Sequence, residues 1–327
     1  MAPTDKKIIC IVGATGHQGG SVARTFLTLP AWQVRCLTRN PASEAAQALA
    51  ALGAEVVQAD LSDLPSLTRA FSNANAIFLN TDFWTVYFPA VASGKSDKES
   101  ARLSYECEFS NGKNAAIAAA GVPTLERLVY SALGPMEKAS GGKHKTYHWK
   151  GKSDIVEYIE NDQPELAMKM SVIYLGAYNT NAFLYPKFDA ETGEYVVVLP
   201  VPKETRFPII DPKEGTGPFV RALIEDEAPG TKLLAYSDSS YLDIESLGDI
   251  FARATGKKVR FVQTTLEDLY AKTGVTLEIL SGPAYLGEFD YCAGVEGVIE
   301  PPQLKNKVQT KPFEQWLRDG GIKNLGQ

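Results

Sequence analysis

Between an apolar run, Ile8-Ile9-Cys10-Ile11-Val12, and a helical pattern opening at Ser21-Val22-Ala23, the chain carries Gly13-Ala14-Thr15-Gly16-His17-Gln18-Gly19-Gly20. No other feature restricts the fold as much. A buried strand, a glycine turn and a helix in immediate succession open a parallel βαβ unit, and that context gives the glycines meaning. Gly13 allows the tight turn, Gly16 lets backbone approach a pyrophosphate, and Gly19 lets the helix pack on the sheet. The helix start then offers free N–H groups and a positive dipole end to phosphates. The stretch predicts nucleotide binding through Gly13, Thr15, Gly16, His17, Gln18 and Gly19.

The second strand, Gln33-Val34-Arg35-Cys36-Leu37-Thr38-Arg39, ends where an NAD-binding chain places Asp or Glu for the ribose 2′-hydroxyl. Here Thr38 and Arg39 stand at that place. A guanidinium binds a 2′-phosphate bidentately and stacks on adenine. The expected cofactor is therefore NADP(H), with NAD(H) the alternative should Arg39 be only a solvated loop cation. The third strand runs from Glu55 towards Asp60 and Leu61. Asp60 is expected to accept the adenine amino group under the cover of Leu61, to cap the helix that follows, or both.

Composition narrows the function classes. The chain has 327 residues, 44% hydrophobic, enough for one large or two modest cores. A net charge of −6 gives no general drive towards nucleic acid or anionic membrane. No apolar run approaches the ~20 residues of a membrane span. The polar start, Met1-Ala2-Pro3-Thr4-Asp5, argues against a signal peptide and for a cytoplasmic location, extending to the nucleus for a regulator. The four cysteines are scattered, with Cys10 and Cys36 inside predicted strands, and read as reduced core residues. The three histidines lack metal-ligand spacing, so no metal is expected.

Strands and helices alternate through the first half, which predicts an α/β fold with a doubly wound parallel sheet. Further strands are expected at 76–80, 127–131 and 171–174, and helices at 42–51, near 112–120 and at 152–160. Residues 93–100 read as a surface loop. The expected division is a nucleotide domain over 1–176 and a smaller α+β lobe for substrate or partner over 177–327, some of its segments returning to the sheet edge. In open sheets ligands bind at the strands' carboxyl ends. That rim would hold the glycine turn, Arg39, Asn80, Thr81 and Ser131.

With these residues placed, the chain resembles the short-chain dehydrogenases of the extended and atypical kinds, and among them the NmrA-like family. The resemblance spans nearly the whole chain. It runs through the glycine turn, Thr38-Arg39-Asn40-Pro41, Gly53-Ala54-Glu55-Val56-Val57-Gln58-Ala59-Asp60 and His148-Trp149-Lys150-Gly151-Lys152. It continues in Tyr174-Leu175-Gly176-Ala177-Tyr178-Asn179, Ile210-Asp211-Pro212 and Leu247-Gly248-Asp249-Ile250. The resemblance implies a Rossmann-type fold and an NADP(H) or NAD(H) site. It implies no single activity. Some members are similar to redox sensors that bind partner proteins, GATA-type transcription factors among them; others reduce small molecules, often in fungal secondary metabolism.

A typical short-chain dehydrogenase uses Tyr-x-x-x-Lys, in which lysine holds the nicotinamide ribose and tyrosine donates the proton. Here the matching register is His148-x-x-x-Lys152, and Ser131 matches the usual serine. Tyr147 comes one residue early, which turns its side chain away from the cofactor. Three readings stay open: His148 is a substitute acid, Lys152 or a water on it donates, or the chemistry is lost and the site only binds cofactor. Lys152 and Tyr174 are counted with the cofactor residues. Phe83, Trp84, Tyr147, Tyr178 and Asn179 are the expected pocket lining, with plain packing or an Asx turn as the alternative. The stretch 141–152 reads as a glycine-hinged mobile loop with solvated lysines, or as a surface for phosphate or an acidic partner.

The leading functional expectation is an NADP(H)-binding, redox-responsive regulator acting through a partner protein that prefers one cofactor state. The alternative is an NADPH-dependent reductase of a small carbonyl, quinone or unsaturated metabolite. Neither reading fixes an oligomeric state.

Overall fold

The computed structural model describes residues 6–321. In the first half, β1 (Lys7–Ile11) leads to α1 (His17–Leu27), β2 (Trp32–Thr38) to α2 (Glu44–Ala51), and β3 (Glu55–Gln58) to α3 (Leu64–Ala70). After β4 (Ala76–Leu79) come α4 (Trp84–Ala92) and α5 (Asp97–Ala120). After β5 (Arg127–Ala132) come the short α6 (Met136–Ala139), α7 (Tyr147–Asp162), the short α8 (Pro164–Ala167) and β6 (Met170–Leu175). The second half holds β7 (Ala177–Tyr178), β8 (Lys187–Asp189), β9 (Glu194–Leu199), β10 (Arg206–Ile210), α9 (Thr216–Glu225) and β11 (Lys232–Ala235). It continues with β12 (Tyr241–Asp243), α10 (Ile244–Thr255), β13 (Val259–Gln263), α11 (Leu266–Thr273), α12 (Leu277–Leu286), β14 (Val298–Ile299) and α13 (Phe313–Arg318).

The large sheet has the order β14-β11-β6-β5-β4-β1-β2-β3, and its pairings are parallel. Its central strands are apolar on both faces, as a sheet covered by helices on both sides requires. Along β5 the residues alternate: Leu128 and Tyr130 face the core under α5 and α7, and Val129 faces the core under α1 and α9. The chain winds outward from β1 through β2 to β3, then returns to β4 on the other side of β1. The crevice at that reversal is where open sheets bind ligands.

Segments beyond residue 176 take part in this layer. β11 and β14 extend the sheet, and α9 lies on α1 so closely that a Cβ on Gly217 would meet the Ser21 carbonyl oxygen at 2.4 Å. The remainder builds two small sheets, β12-β10-β7 and β13-β9-β8, around a core of Leu199, Phe207, Ile250, Phe251 and Phe313.

Two expectations from the sequence are corrected. Residues 93–100 are not a simple loop: Ser96 caps α5 through the Glu99 N–H, and the helix starts at Asp97. The periodicity failed because the buried stripe of α5 is Ser100, Ser104, Glu108 and Gly112, small or polar at every fourth position. Likewise α7 begins at Tyr147, five residues before the expected start, because its N-terminus is capped from elsewhere in the chain. None of the helices among the described residues is long and apolar enough to cross a membrane.

Candidate functional site

The sheet's carboxyl edge opens into a cleft of about 1400 Å³. At its base the glycine turn takes the shape that its sequence demands. Gly13 has φ +71°, the left-handed region, and its carbonyl accepts the Gly16 N–H at 2.9 Å. Gly19 packs behind the turn, where a Cβ would lie 2.3 Å from the Gly13 oxygen. No side chain caps α1, so its first-turn N–H groups remain for a ligand. Gly13, Thr15, Gly16, His17 and Gln18 all line the cleft, and Gly19 shapes it from behind. Burial and the Lys213 cation hold the His17 imidazole below its ordinary range, so it is neutral at neutral pH.

At one end, Thr38, Arg39, Asp60 and Leu61 line the cleft together. Arg39 is exposed and makes no ion pair with a described residue. Asp60 does not cap α3; Asp63 does, through the Ser66 N–H. The Asp60 carboxylate instead accepts the Ser62 N–H at 2.8 Å and hydroxyl at 2.7 Å. Those bonds, with the Arg39 charge, hold its carboxyl below the usual range and keep it an acceptor.

At the middle of the cleft, Asn80, Thr81 and Ser131 follow β4 and end β5. Lys152, on α7, reaches across to them. Its Nζ donates to the Thr81 carbonyl at 2.8 Å and hydroxyl at 3.2 Å, and pairs with Glu108 at 3.1 Å. Glu108 is wholly buried, and the Thr81 hydroxyl donates to it at 2.7 Å. The two helices meet this closely because Gly151 has no side chain; a Cβ there would lie 2.8 Å from Glu108 Oε2.

One turn before Lys152, His148 also lines the cleft, its ring centroid 5.1 Å from Trp84 and 5.9 Å from Phe83. Its backbone N–H and its Nδ1 both lie 2.7 Å from Glu278 Oε1. Glu278 thereby replaces a local cap at the start of α7. Beyond His148 the cleft continues between Tyr178, Phe183, Tyr185, Val196, Leu280 and Leu286. Tyr178 is kept a neutral phenol by burial and accepts Gln18 Nε2 at 2.6 Å.

Not every expected residue reaches the cleft. Tyr174 is buried in β6 under the α5 and α7 side of the sheet. Tyr147 turns to Tyr105, with ring centroids 5.6 Å apart, because one helical position rotates it by roughly 100° from His148. Asn179 is drawn into the sheet by its N–H bond to the Ile210 carbonyl at 2.8 Å, and its side chain is buried. The stretch 141–146 is anchored rather than loose: Lys143 pairs with Glu288, and the buried His144 ring stands against Tyr285 and Phe289. Glu108 and Glu278 were missed by sequence reasoning. Glu108 carries a signal in the four-residue spacing of Ser100, Ser104 and Gly112; Glu278 carries none.

Known proteins of similar sequence and shape complete the description. An NmrA-like family domain-containing oxidoreductase, ptmS of Penicillium ochrochloron, is 30% identical over 78% of this chain and 75% of its own length. Another, cpsB of Aspergillus campestris, is 30% identical over 96% of this chain and 97% of its own. The crystal structure of NmrA, a negative transcriptional regulator, in complex with NADP superposes with a TM-score of 0.69 at 19% identity, covering 98% of this chain and 97% of that one. NmrA in complex with NAD gives the same TM-score, identity and coverage, and shares the fold. Residues 5–317 match the model of the NmrA-like family, and the chain belongs to that family.

Proposed function

We propose that this chain is an oxidoreductase that uses NADPH to reduce a small carbonyl, quinone or unsaturated metabolite. The observation that carries the reading is the continuity of one cleft. The phosphate-type turn, Arg39 and Lys152 lie along it, and past His148 it runs on into an apolar arm large enough for a second ligand. Two relatives at 30% identity are named oxidoreductases, one of them aligned along almost its whole length, which supports oxidoreductase chemistry over the regulator expected first.

The residues present fit a dinucleotide. A Cβ at Gly19 would fill the cradle's wall, and the buried Gln18 Oε1 and Asn80 Oδ1 have no hydrogen-bond partner. Buried polar atoms normally have one, and a ligand in the cleft would supply it. Gly13, Thr15, Gly16 and the α1 N-terminus would hold the phosphates, with His17 and Gln18 beside them. Arg39, next to Thr38, would hold a 2′-phosphate, and Asp60 with Leu61 the adenine. Lys152 would hold the nicotinamide ribose near Asn80, Thr81 and Ser131. A bound reduced nicotinamide supplies hydride; the protein orients the acceptor, excludes water with Phe83 and Trp84, and delivers a proton from His148 or Lys152. NmrA binds both NAD and NADP, so the preference for NADPH rests on Arg39.

A regulator reading keeps one specific support: histidine stands where the usual tyrosine acid would be. Mixing the purified protein anaerobically with NADPH and a panel of quinones and carbonyls separates the two. Acceptor-dependent loss of NADPH is the expected result. NADPH that binds, is never consumed, and is distinguished from NADP⁺ in affinity would favour the regulator.

A further inference from the structure

We propose that His148 is the acid that protonates a carbonyl or quinone oxygen during its reduction, and that Glu278 is the positioning residue that holds the imidazole for this task. The proposal rests on the oxidoreductase reading, and it decides between the two proton donors left open above.

The two candidates sit four residues apart on one face of α7. Their surroundings differ. The Lys152 Nζ donates to the Thr81 carbonyl and hydroxyl and forms an ion pair with Glu108. Glu108 has no exposed surface, and its second oxygen has no hydrogen-bond partner. A proton taken from Lys152 would strand that carboxylate in the interior without its counter-charge, which is strongly unfavourable. Lys152 is therefore built to keep its proton and to position.

His148 has the opposite arrangement. One oxygen of Glu278 accepts both its backbone N–H and its Nδ1–H. A carboxylate on one imidazole nitrogen fixes that nitrogen as the protonated one, and so sets the tautomer and the ring's orientation. Nε2 has no partner among the described residues and is not among the buried unpaired atoms. The side chain keeps 14% of its surface, on the cleft side. The other ionisable groups on the elements around it are Asp82 ahead of α4, Tyr87 on α4, and Lys150 and Lys152 on its own helix. None of these hydrogen-bonds the ring; Glu278 does. Glu278 stands in the first turn of α12, a helix of the second half, so the segment that walls the apolar arm also orients the acid.

The step balances. A bound reduced nicotinamide would supply hydride to the acceptor carbon, with the carbonyl π pair moving onto oxygen. That oxygen takes the Nε2 proton of the imidazolium. His148 is left neutral with its remaining proton on Nδ1, still bonded to Glu278, and regains the other from water.

The test has two readouts on the whole protein. Heteronuclear NMR of nitrogen-labelled histidines, without cofactor, reports the tautomer; His148→Gln identifies the signal. The neutral ring is expected to carry its proton on Nδ1 in the wild type and on Nε2 in Glu278→Leu. Single-turnover oxidation of NADPH by phenanthrenequinone is the second readout. His148→Gln is expected to slow it roughly 100-fold with unchanged NADPH affinity. A wild-type ring protonated on Nε2, or full turnover in His148→Gln, overturns the proposal. A wild type that binds NADPH and reduces no quinone overturns the oxidoreductase reading itself, and the acid role with it.

Discussion

Gly19 lies so close to Gly13 that the helix and the turn share one surface, backbone against side-chain-less backbone. The opposing atom is a carbonyl, which cannot swing aside as a side chain would. Gly19→Ala should therefore cost roughly 1–3 kcal/mol by overpacking and displace the turn; urea unfolding together with NADPH titration would register both losses. Arg39 is the contrary case, exposed and without an ionic partner among the described residues. Arg39→Glu should leave stability within about 0.5 kcal/mol and remove the preference of NADPH over NADH in calorimetry. An unchanged preference would contradict the assignment of Arg39 to the 2′-phosphate. The close packing of Gly19 and the place of Arg39 after β2 were legible in the sequence because both depend on neighbours in the chain. Glu278 was not legible, because its role comes from a residue 130 positions away.

At the scale of elements, the packing of α5 on α7 decides the site, since it carries Glu108 to Lys152. It depends on missing side chains. A Cβ on Gly112 would lie 2.3 Å from Ile155 Cδ1, and Ile155 is fully buried. Gly112→Ala should destabilise by roughly 1–3 kcal/mol, and adding Ile155→Val should recover part of that; an additive double mutant would show that the two sites do not share the space. The start of α5 escaped sequence reading for the same reason. A stripe of serine, glutamate and glycine has no hydrophobic period to detect. The C-terminal helix shows a different link. Arg253 on α10 and Arg318 on α13 hydrogen-bond Glu314 and hold its carboxyl at about 2, against an ordinary 4.5. A carboxyl depressed in the folded state gives stability that is present above its unfolded value and lost as pH falls through the folded one. The docking of α13 on α10 should therefore weaken between pH 4.5 and about 2. Trp316 fluorescence should follow that transition, and Glu314→Gln should abolish it.

Over the whole molecule, the parallel sheet was the legible part. Each of its first six strands sits beside a turn or helix signal of its own, and the alternation of strand and helix implies parallel pairing. The second half was not legible in the same way. Its strands are short, β11 and β14 join a sheet begun more than two hundred residues earlier, and the apolar arm of the cleft draws on β9, α11 and α12 at once. Residues that meet only through tertiary packing leave no local period. The cleft is the product of both halves, and under the proposed function it would hold a reduced nicotinamide dinucleotide beside a proton donor. Calorimetric titration of the purified protein with NADPH, NADP⁺, NADH and NAD⁺ tests this most directly. Saturable one-to-one binding is expected, with NADPH tighter than NADH. No heat of binding with any of the four, from a protein shown to be folded, would contradict it.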